Sequence, residues 1–263
     1  MRVSDLHRRI LAGKTLDPDA LAFLTAAGIT DVTITSAINT LVKGLKSNNI
    51  WSKIKSIYPI VGGTATTHKF NLKDPRDLDV AFRLQFFGTI THSANGMQGV
   101  SSGYANTFFA PIELGQNNLH ISFYSRTDNN SGSDMGVQNA PDLTFYTYLQ
   151  VRGNNASVFL INQNTITTVA NNNGTGYYLA NRTDSNVKNG WKNGIKVENL
   201  TTVSNNRTSR PIFILCFNRF GTPADFSLKQ CAFSSIGEGL TDSEALTYYN
   251  LVQAFQTTLG RQV

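Results

Sequence analysis

The chain has 263 residues, of which 40% are hydrophobic and 10% aromatic, enough for one large packed domain. Only 15% are charged, and Asn, Thr, Ser and Gly take their place, a composition that suits neutral polar faces turned toward neighbouring proteins or carbohydrate. The formal charge of +6 comes from scattered Lys and Arg residues with no basic run interleaved with aromatics, which argues against a nucleic-acid partner.

The first sixteen residues are basic and weakly amphipathic, without the apolar core of a signal peptide. We expect them to form an anchor arm that orders against another component of an assembly, with Arg2, Arg8, Arg9 and Lys14 as its contact residues. A solvated, frayed terminus is the alternative. No apolar run in the chain approaches transmembrane length, so no membrane partner is expected.

Residues 17–60 read as a helical subdomain packed on the rest of the chain, because the apolar stripes of its helices are too wide for solvent. The three predicted helices begin at Asp17, at Thr33 or Thr35, and at Asn49. Gly28 ends the first and Pro59 stops the third, which would run from Asn49 to Tyr58.

From residue 61 the pattern is that of short strands separated by turn clusters. Leu78–Phe86 alternates apolar and polar residues, the pattern of a half-buried strand. Further strands are predicted at 104–112, 118–125, 143–151, 156–161, 165–169, 176–182, 191–197, 211–217 and 229–235. Many short strands without a repeat period predict a mainly β fold, a two-sheet antiparallel sandwich over 61–263.

The end of the chain carries its clearest local signals. Asn193-Gly194, within WKNGIKV, predicts a tight hairpin with a type I′ turn. Thr241 and Glu244 have the spacing of a capping box, so a C-terminal helix begins there. Its predicted apolar stripe consists of Leu246, Tyr249, Val252, Phe255 and Leu259.

Together these segments resemble the concanavalin-A-like/laminin-G-like superfamily: WKNGIKV is similar to its Asn-Gly hairpin, and Ile236–Asn250 to its closing strand and helix. The flanks PIVGGTATTHKFNLKDPRDLDVAFRLQF and LVQAFQTTLGRQV more narrowly resemble modules of bacteriophage virion proteins of the fibre, decoration and adhesin kind. The resemblance, over 17–263, implies a jelly-roll sandwich located in the virion and assembled in the host cytoplasm. It leaves open whether the chain is a homo-oligomer.

Catalytic motifs are missing from the sequence. There is no Gly-rich phosphate loop, G-x-S-x-G, H-E-x-x-H or Cys/His cluster at zinc spacing. The four glutamates, Glu113, Glu198, Glu238 and Glu244, form no same-strand pair of the kind glycosidases use. Asp77 and Asp79 have the right alternate spacing but follow a turn, so we interpret them as polar residues at a strand entry.

The sequence also allows us to consider a ligand contact, a calcium site and a disulfide, each against a simpler structural explanation. Trp191 and Asn193 are candidate ligand contacts, with core packing favoured for the tryptophan. Calcium is the common cofactor of the superfamily, yet the loops at 128–134 and 181–186 are explained by turn chemistry, so no cofactor is expected. Cys216 and Cys231 are expected to be reduced, buried thiols.

These observations predict a non-enzymatic virion structural protein, a head or tail decoration or a fibre component. Its partners would be other virion proteins, bound through the arm, and a host-surface glycan on an adhesive face. A stand-alone carbohydrate-binding lectin is the alternative, and a polysaccharide-degrading enzyme is more distant.

Overall fold

The computed structural model describes residues 16–139 and 145–263. The candidate anchor residues Arg2, Arg8, Arg9 and Lys14 lie outside this range. The helices are α1 Pro18–Ala26, α2 Val32–Ser47, α3 Ala65–His68 and α4 Asp242–Thr258, with 3-10 turns at Trp51–Lys53, Asp79–Ala81 and Pro111–Glu113. The strands are β1 Ile54–Tyr58, β2 Gln85–Ser93, β3 Gly96–Asn106, β4 Leu119–Ser125, β5 Met135–Gln138, β6 Tyr146–Gly153, β7 Ala156–Gln163, β8 Val169–Ala170, β9 Gly176–Arg182, β10 Val187–Lys192, β11 Ile195–Thr201, β12 Phe213–Ile214, β13 Phe217–Arg219, β14 Thr222–Ala224 and β15 Gln230–Gly237.

The strands form a nearly closed antiparallel sandwich, which confirms the predicted fold class. Their order is β11-β10-β9-β4-β15-β3-β12-β5-β6-β7-β8, with β1 beside β15, β2 beside β3, and the β13–β14 hairpin beside β5. The first sheet comprises β11-β10-β9-β4-β15 with β1 and the β2–β3 hairpin, and the second comprises β12-β5-β6-β7-β8 with the β13–β14 hairpin. Strand β3 joins the two sheets, because Met97 pairs with β15 and Ala105 pairs with β12. In the described part of the chain, β5 and β13 are the one parallel strand pair.

Two hydrophobic cores lie on the two faces of the first sheet. Between the sheets, alternate residues such as Ile121 of β4, Leu149 of β6 and Tyr178 of β9 are fully buried. On the opposite face of the first sheet, Tyr177 and Phe233 pack against α1, α2 and α4. The helices therefore cover one sheet, and the outer face of the second sheet keeps no helix against it in the described residues.

Helix α4 starts where the sequence predicts. Thr241 and Glu244 form both hydrogen bonds of the capping box. The helix packs against α2, where a Cβ at Gly44 would lie 2.5 Å from the Leu251 side chain, so glycine allows the close approach. The predicted stripe is only partly right: Val252 and Phe255 are buried, and so are Ala245, Tyr248 and Gln256, which the stripe does not include.

The first residue of the predicted stripe, Leu246, is exposed because the buried face of α4 points in another direction. Leu246 is 46% exposed, and Tyr249, Leu251 and Leu259 are only partly buried against the core. The buried face of α4 is centred on Tyr248 and Val252, which lie four residues apart, so it is rotated away from Leu246.

The third predicted helix, 49–58, is wrong. A single 3-10 turn at Trp51–Lys53 leads into β1, which pairs with β15 through Ile57 and Ser235. Ile54 and Ile57 are three residues apart, a spacing that suits a helix, but both are β-branched and the edge of β15 offers them backbone partners.

The strand predicted at Leu78–Phe86 is also wrong over most of its length. Residues 78–83 form a charged turn in which Phe82 takes a left-handed conformation at φ 57°. Leu78 and Val80 are 50% and 73% exposed, because the carboxylates of Asp77 and Asp79, on either side of Leu78, bind Arg83. Strand β2 starts only at Gln85 and continues into the β2–β3 hairpin, most of which was not predicted.

The boundaries of the other predicted strands agree better with the structure. The strand predicted at 176–182 agrees with β9, and 118–125 and 156–161 agree with β4 and β7 to within two residues. The Asn193-Gly194 turn has both φ angles positive, at 49° and 76°, as a type I′ hairpin requires. The segments 104–112, 165–169 and 211–217 are strands over only part of their predicted lengths. Among the described residues no helix is long and apolar enough to cross a membrane.

Candidate functional site

The outer face of the second sheet carries a row of aromatic side chains. In β6 the burial alternates strictly, so Thr147 and Leu149 point into the core while Tyr146 and Tyr148 point outward. The ring of Phe217, from β13, lies 5.2 Å from that of Tyr148 in an edge-on arrangement and 6.2 Å from that of Tyr146 at 29°. Strands β6 and β13, which both pair with β5, thus bring the three aromatic rings together.

The β13–β14 hairpin forms a wall beside these rings. Its turn residues Phe220 and Gly221 both have positive φ, at 57° and 98°, the requirement of a two-residue type I′ hairpin. The buried side chain of Asn218 fixes the turn by accepting a hydrogen bond from the Gly221 N–H at 2.7 Å. The hairpin presents Arg219, whose Nη2 lies 2.6 Å from Oδ2 of Asp225.

Between wall and sheet lies a cleft of about 330 Å³, called here the sheet cleft. It is lined by Ser133, Gln138, Tyr146, Tyr148, Ile166, Phe217, Arg219, Phe220 and Asp225. Its size and its mixture of aromatic surface with a few polar groups are those of small-ligand sites.

The polar groups of the sheet cleft are set for hydrogen bonding. Arg219 and Asp225 are about half exposed, with side-chain exposures of 49% and 51%, so both retain free hydrogen-bonding capacity. Burial raises the pKa of the Tyr148 phenol, which therefore stays protonated, and its oxygen lies 3.0 Å from Ser133 Oγ. The cleft offers a guanidinium donor and a carboxylate acceptor beside apolar rings.

A larger cleft, of about 510 Å³, lies beside the helices and is lined by the α1–α2 loop, Val61, Thr67, Leu259 and Arg261. Its guanidinium group is already committed to the fold. The buried Arg261 guanidinium donates to the carbonyls of Pro59, Ile60 and Ala232 and to Gln256. Although this cleft is the larger of the two, none of its described lining residues is aromatic, so it offers no ring surface to a ligand.

The residues predicted as ligand contacts lie elsewhere. Trp191 is only 6% exposed and packs in the helix-side core, with the Lys196 ammonium 5.2 Å from its ring centre, so it offers no free ring face to a sugar. Asn193 accepts a hydrogen bond from the Tyr177 N–H at 2.8 Å and serves the hairpin turn. Both belong to the first sheet, away from the sheet cleft.

Five of the six candidate catalytic carboxylates are engaged in ion pairs, and the sixth, Glu113, is exposed and belongs to a 3-10 turn. Asp77 and Asp79 both bind Arg83, at 3.1 and 2.8 Å, and hydrogen bonds from Lys69 first and Arg83 second keep the pKa of Asp77 below its usual value. Glu198 is buried against Lys188 at 2.7 Å. Glu238 and Glu244 pair with Lys55 and Lys53, at 2.9 and 2.6 Å. Among the described residues lining the sheet cleft, Asp225 is the one carboxylate.

The loops considered for calcium are held by protein groups. The Asp128 carboxylate binds Arg152 and accepts from the Gly174 N–H, and that ion pair lowers the pKa of Asp128. Asp134 is fully buried beside Lys229, 3.3 Å away, and burial raises its pKa. No group of three or more His, Cys, Asp and Glu side chains is brought together in the described ranges. Cys216 and Cys231 are buried free thiols, and burial raises the pKa of each.

Comparisons with known proteins show similarity of fold only. No protein-family model matches the chain. No curated protein matches it. A Trypanosoma rangeli sialidase mutant displaying trans-sialidase activity aligns with a TM-score of 0.52 and 9% identity over 83% of this chain; the chain spans 39% of that protein.

Two further structures align more weakly. One is domain 4 of AbnA, an extracellular GH43 arabinanase from Geobacillus stearothermophilus, in complex with arabinotriose (TM-score 0.48, 13% identity, 76% of this chain and 98% of that one). The other is the CBM40 of Ruminococcus gnavus IT-sialidase bound to α2,3-sialyllactose (TM-score 0.40, 14% identity, 49% and 79%). At 9% identity, the alignment with the sialidase shows a shared fold alone.

The sheet cleft was missed at the sequence level, although a local signal exists. The alternation of Tyr146 and Tyr148 within a predicted strand places two aromatics on one face. Nothing in the sequence says that Phe217 and Asp225, some 70 residues further on, lie beside them, because that proximity comes from the pairing of β13 with β5.

Proposed function

We propose that the chain is a non-enzymatic structural protein of a bacteriophage particle whose sheet cleft binds a glycan. The observation that carries the glycan proposal is the pair of partly exposed rings of Tyr146 and Tyr148, packed on the buried Phe217, beside the half-exposed Arg219–Asp225 pair. Sugar rings combine apolar C–H faces with hydroxyl rims, so they match a site that sets aromatic faces beside planar hydrogen-bonding groups.

A binding role is favoured over a catalytic one by the charge content of the sheet cleft. Hydrolysis of a glycosidic bond generally needs two carboxyl groups about 5 to 9 Å apart. Asp225 is the one carboxylate among the described lining residues, and its Oδ2 is already bound by the Arg219 guanidinium at 2.6 Å. Such a residue suits recognition of hydroxyl groups better than proton donation to a leaving group.

The particle context rests on the resemblance of residues 59–86 and 251–263 to virion modules. In that setting the basic arm, with Arg2, Arg8, Arg9 and Lys14, attaches the domain to the particle and the sheet cleft faces outward. A stand-alone lectin would share the cleft without the attachment. Immunogold labelling of phage particles distinguishes the two, since a particle component is labelled on intact virions and a free lectin is not.

Screening the purified protein against an array of neutral and acidic glycans tests the binding role. We expect at least one class of glycan to bind wild-type protein and the Arg76→Ala variant, and binding to be lost in Arg219→Ala. Arg76 is a matched control because it also forms an exposed Arg–Asp pair, with Asp74, in a different loop. Equal binding by both variants would place the glycan elsewhere, and release of reducing ends from a bound glycan would indicate an enzyme.

A further inference from the structure

Strand β2 forms an open edge of the first sheet. Within the described ranges it pairs with β3 alone, and its other side has no partner strand. Gln85, Phe87, Thr89 and Thr91 are exposed. Because backbone groups of an antiparallel strand point alternately to either side, every second residue of β2 turns its N–H and C=O toward this open edge.

The edge lacks the charges that usually prevent strands from pairing between molecules. The 29 residues from 84 to 112 contain no Asp, Glu, Lys or Arg, in a chain that carries a net charge of +6. The edge at the opposite end of the sheet, β11, contains Lys196 and Glu198. Charged side chains and bulges are the common protections of free edges, and β2 has only a bulge, where Gly88 adopts φ 64°. Residues 89–93 beyond the bulge pair regularly with β3.

The outer face of the same hairpin is apolar. Phe87 and Val100 are 37% and 46% exposed, and Leu228, whose carbonyl accepts a hydrogen bond from Gln98 of β3, is 40% exposed. The Phe87 ring stacks on that of Tyr104, with centroids 5.0 Å apart and an angle of 13°. Exposed apolar surface next to an unpaired strand edge is the composition of a protein–protein contact.

We propose that β2 pairs antiparallel with β2 of a second copy of this chain, around a two-fold axis near Thr91. The distribution of charge indicates that the partner is a second copy of the chain. Two copies that each carry a net charge of +6 repel one another, and a face without charged residues lets them meet without placing like charges opposite each other. The pairing joins the first sheet of one copy to the first sheet of the other as one continuous sheet, and it covers Phe87 and Val100. It is independent of the sheet cleft, which faces outward from the other sheet.

Charge substitution at Thr91 tests the pairing, because the two-fold axis places Thr91 opposite its copy. Analytical ultracentrifugation should show a dimer for wild-type protein. Thr91→Lys and Thr91→Glu should each weaken dimerisation at least about tenfold, since like charges then oppose one another. An equimolar mixture of the two variants should restore the dimer. Thr201→Lys, an exposed threonine on the β11 edge, is the matched control and should dimerise like wild type.

Circular dichroism and thermal unfolding confirm that each variant is folded before its mass is measured. Wild-type protein that stays monomeric at every concentration overturns the proposal. A dimer that survives both Thr91 variants, or that dissociates in Thr201→Lys, also overturns it. Failure of the mixture to re-form the dimer contradicts the two-fold register.

Discussion

Truncation of Phe255 tests whether α4 is part of the domain core. Its side chain is 3% exposed, lies 6.2 Å from the Phe233 ring and has the Arg261 guanidinium 5.5 Å from its own ring centre. Removing a buried phenylalanine costs its transfer free energy and leaves a cavity, together roughly 3–5 kcal/mol. The Arg261 contact adds to this, because a cation over a desolvated ring is worth about 1–2 kcal/mol.

Denaturant unfolding of purified Phe255→Ala, followed by circular dichroism, measures this loss. Leu246→Ala is the control on the same helix: the side chain is 46% exposed, so we expect a change within about 0.5 kcal/mol. A near-zero loss for Phe255→Ala together with failure to incorporate into particles would refute the packing argument and make α4 a subunit contact.

Three other perturbations follow from the buried and terminal groups. Burial lowers the pKa of His120 to about 4, so below about pH 6.5 the unfolded chain binds more protons than the folded chain. The free energy of unfolding should therefore decline from pH 6.5 toward pH 4. In His120→Gln this decline should be less steep when unfolding is measured over the same range. Glu198→Ala should lower the free energy of unfolding by roughly 3–5 kcal/mol, because it leaves Lys188 buried without its partner. Asp242→Ala breaks an exposed ion pair and should lower it by less than about 1 kcal/mol. Equal losses in the two variants would contradict the burial argument. Deletion of residues 1–14 should leave the melting temperature nearly unchanged and abolish attachment to particles in a co-sedimentation assay, and retained attachment would move the anchor to another part of the chain.

Local signals in the sequence predicted the elements that depend on local chemistry. The Asn193-Gly194 hairpin, the Asp17 helix cap and the capping box of α4 formed as expected because each is stabilised by hydrogen bonds within a few residues. The alternation that gave β6 also held in its described part, since its two faces meet a core and an exposed surface.

The misassigned segments depend on partners distant in sequence. Residues 54–58 became a strand because β15, 180 residues later, supplies its ladder. Residues 78–83 became a turn because Asn71 holds the Ala81 carbonyl and two aspartates hold Arg83. The sheet cleft was missed for the same reason, since Phe217 reaches Tyr148 only through long-range pairing.

Calorimetric titration of the glycan selected by array screening tests the proposed binding site most directly. Tyr146→Ala removes a half-buried ring that lines the sheet cleft, and we expect the dissociation constant to rise at least about tenfold, as for truncation of an aromatic contact residue. The Arg76→Ala protein should bind with the wild-type constant. An unchanged constant in Tyr146→Ala, with both variants folded, would contradict the assignment of the sheet cleft as the glycan site.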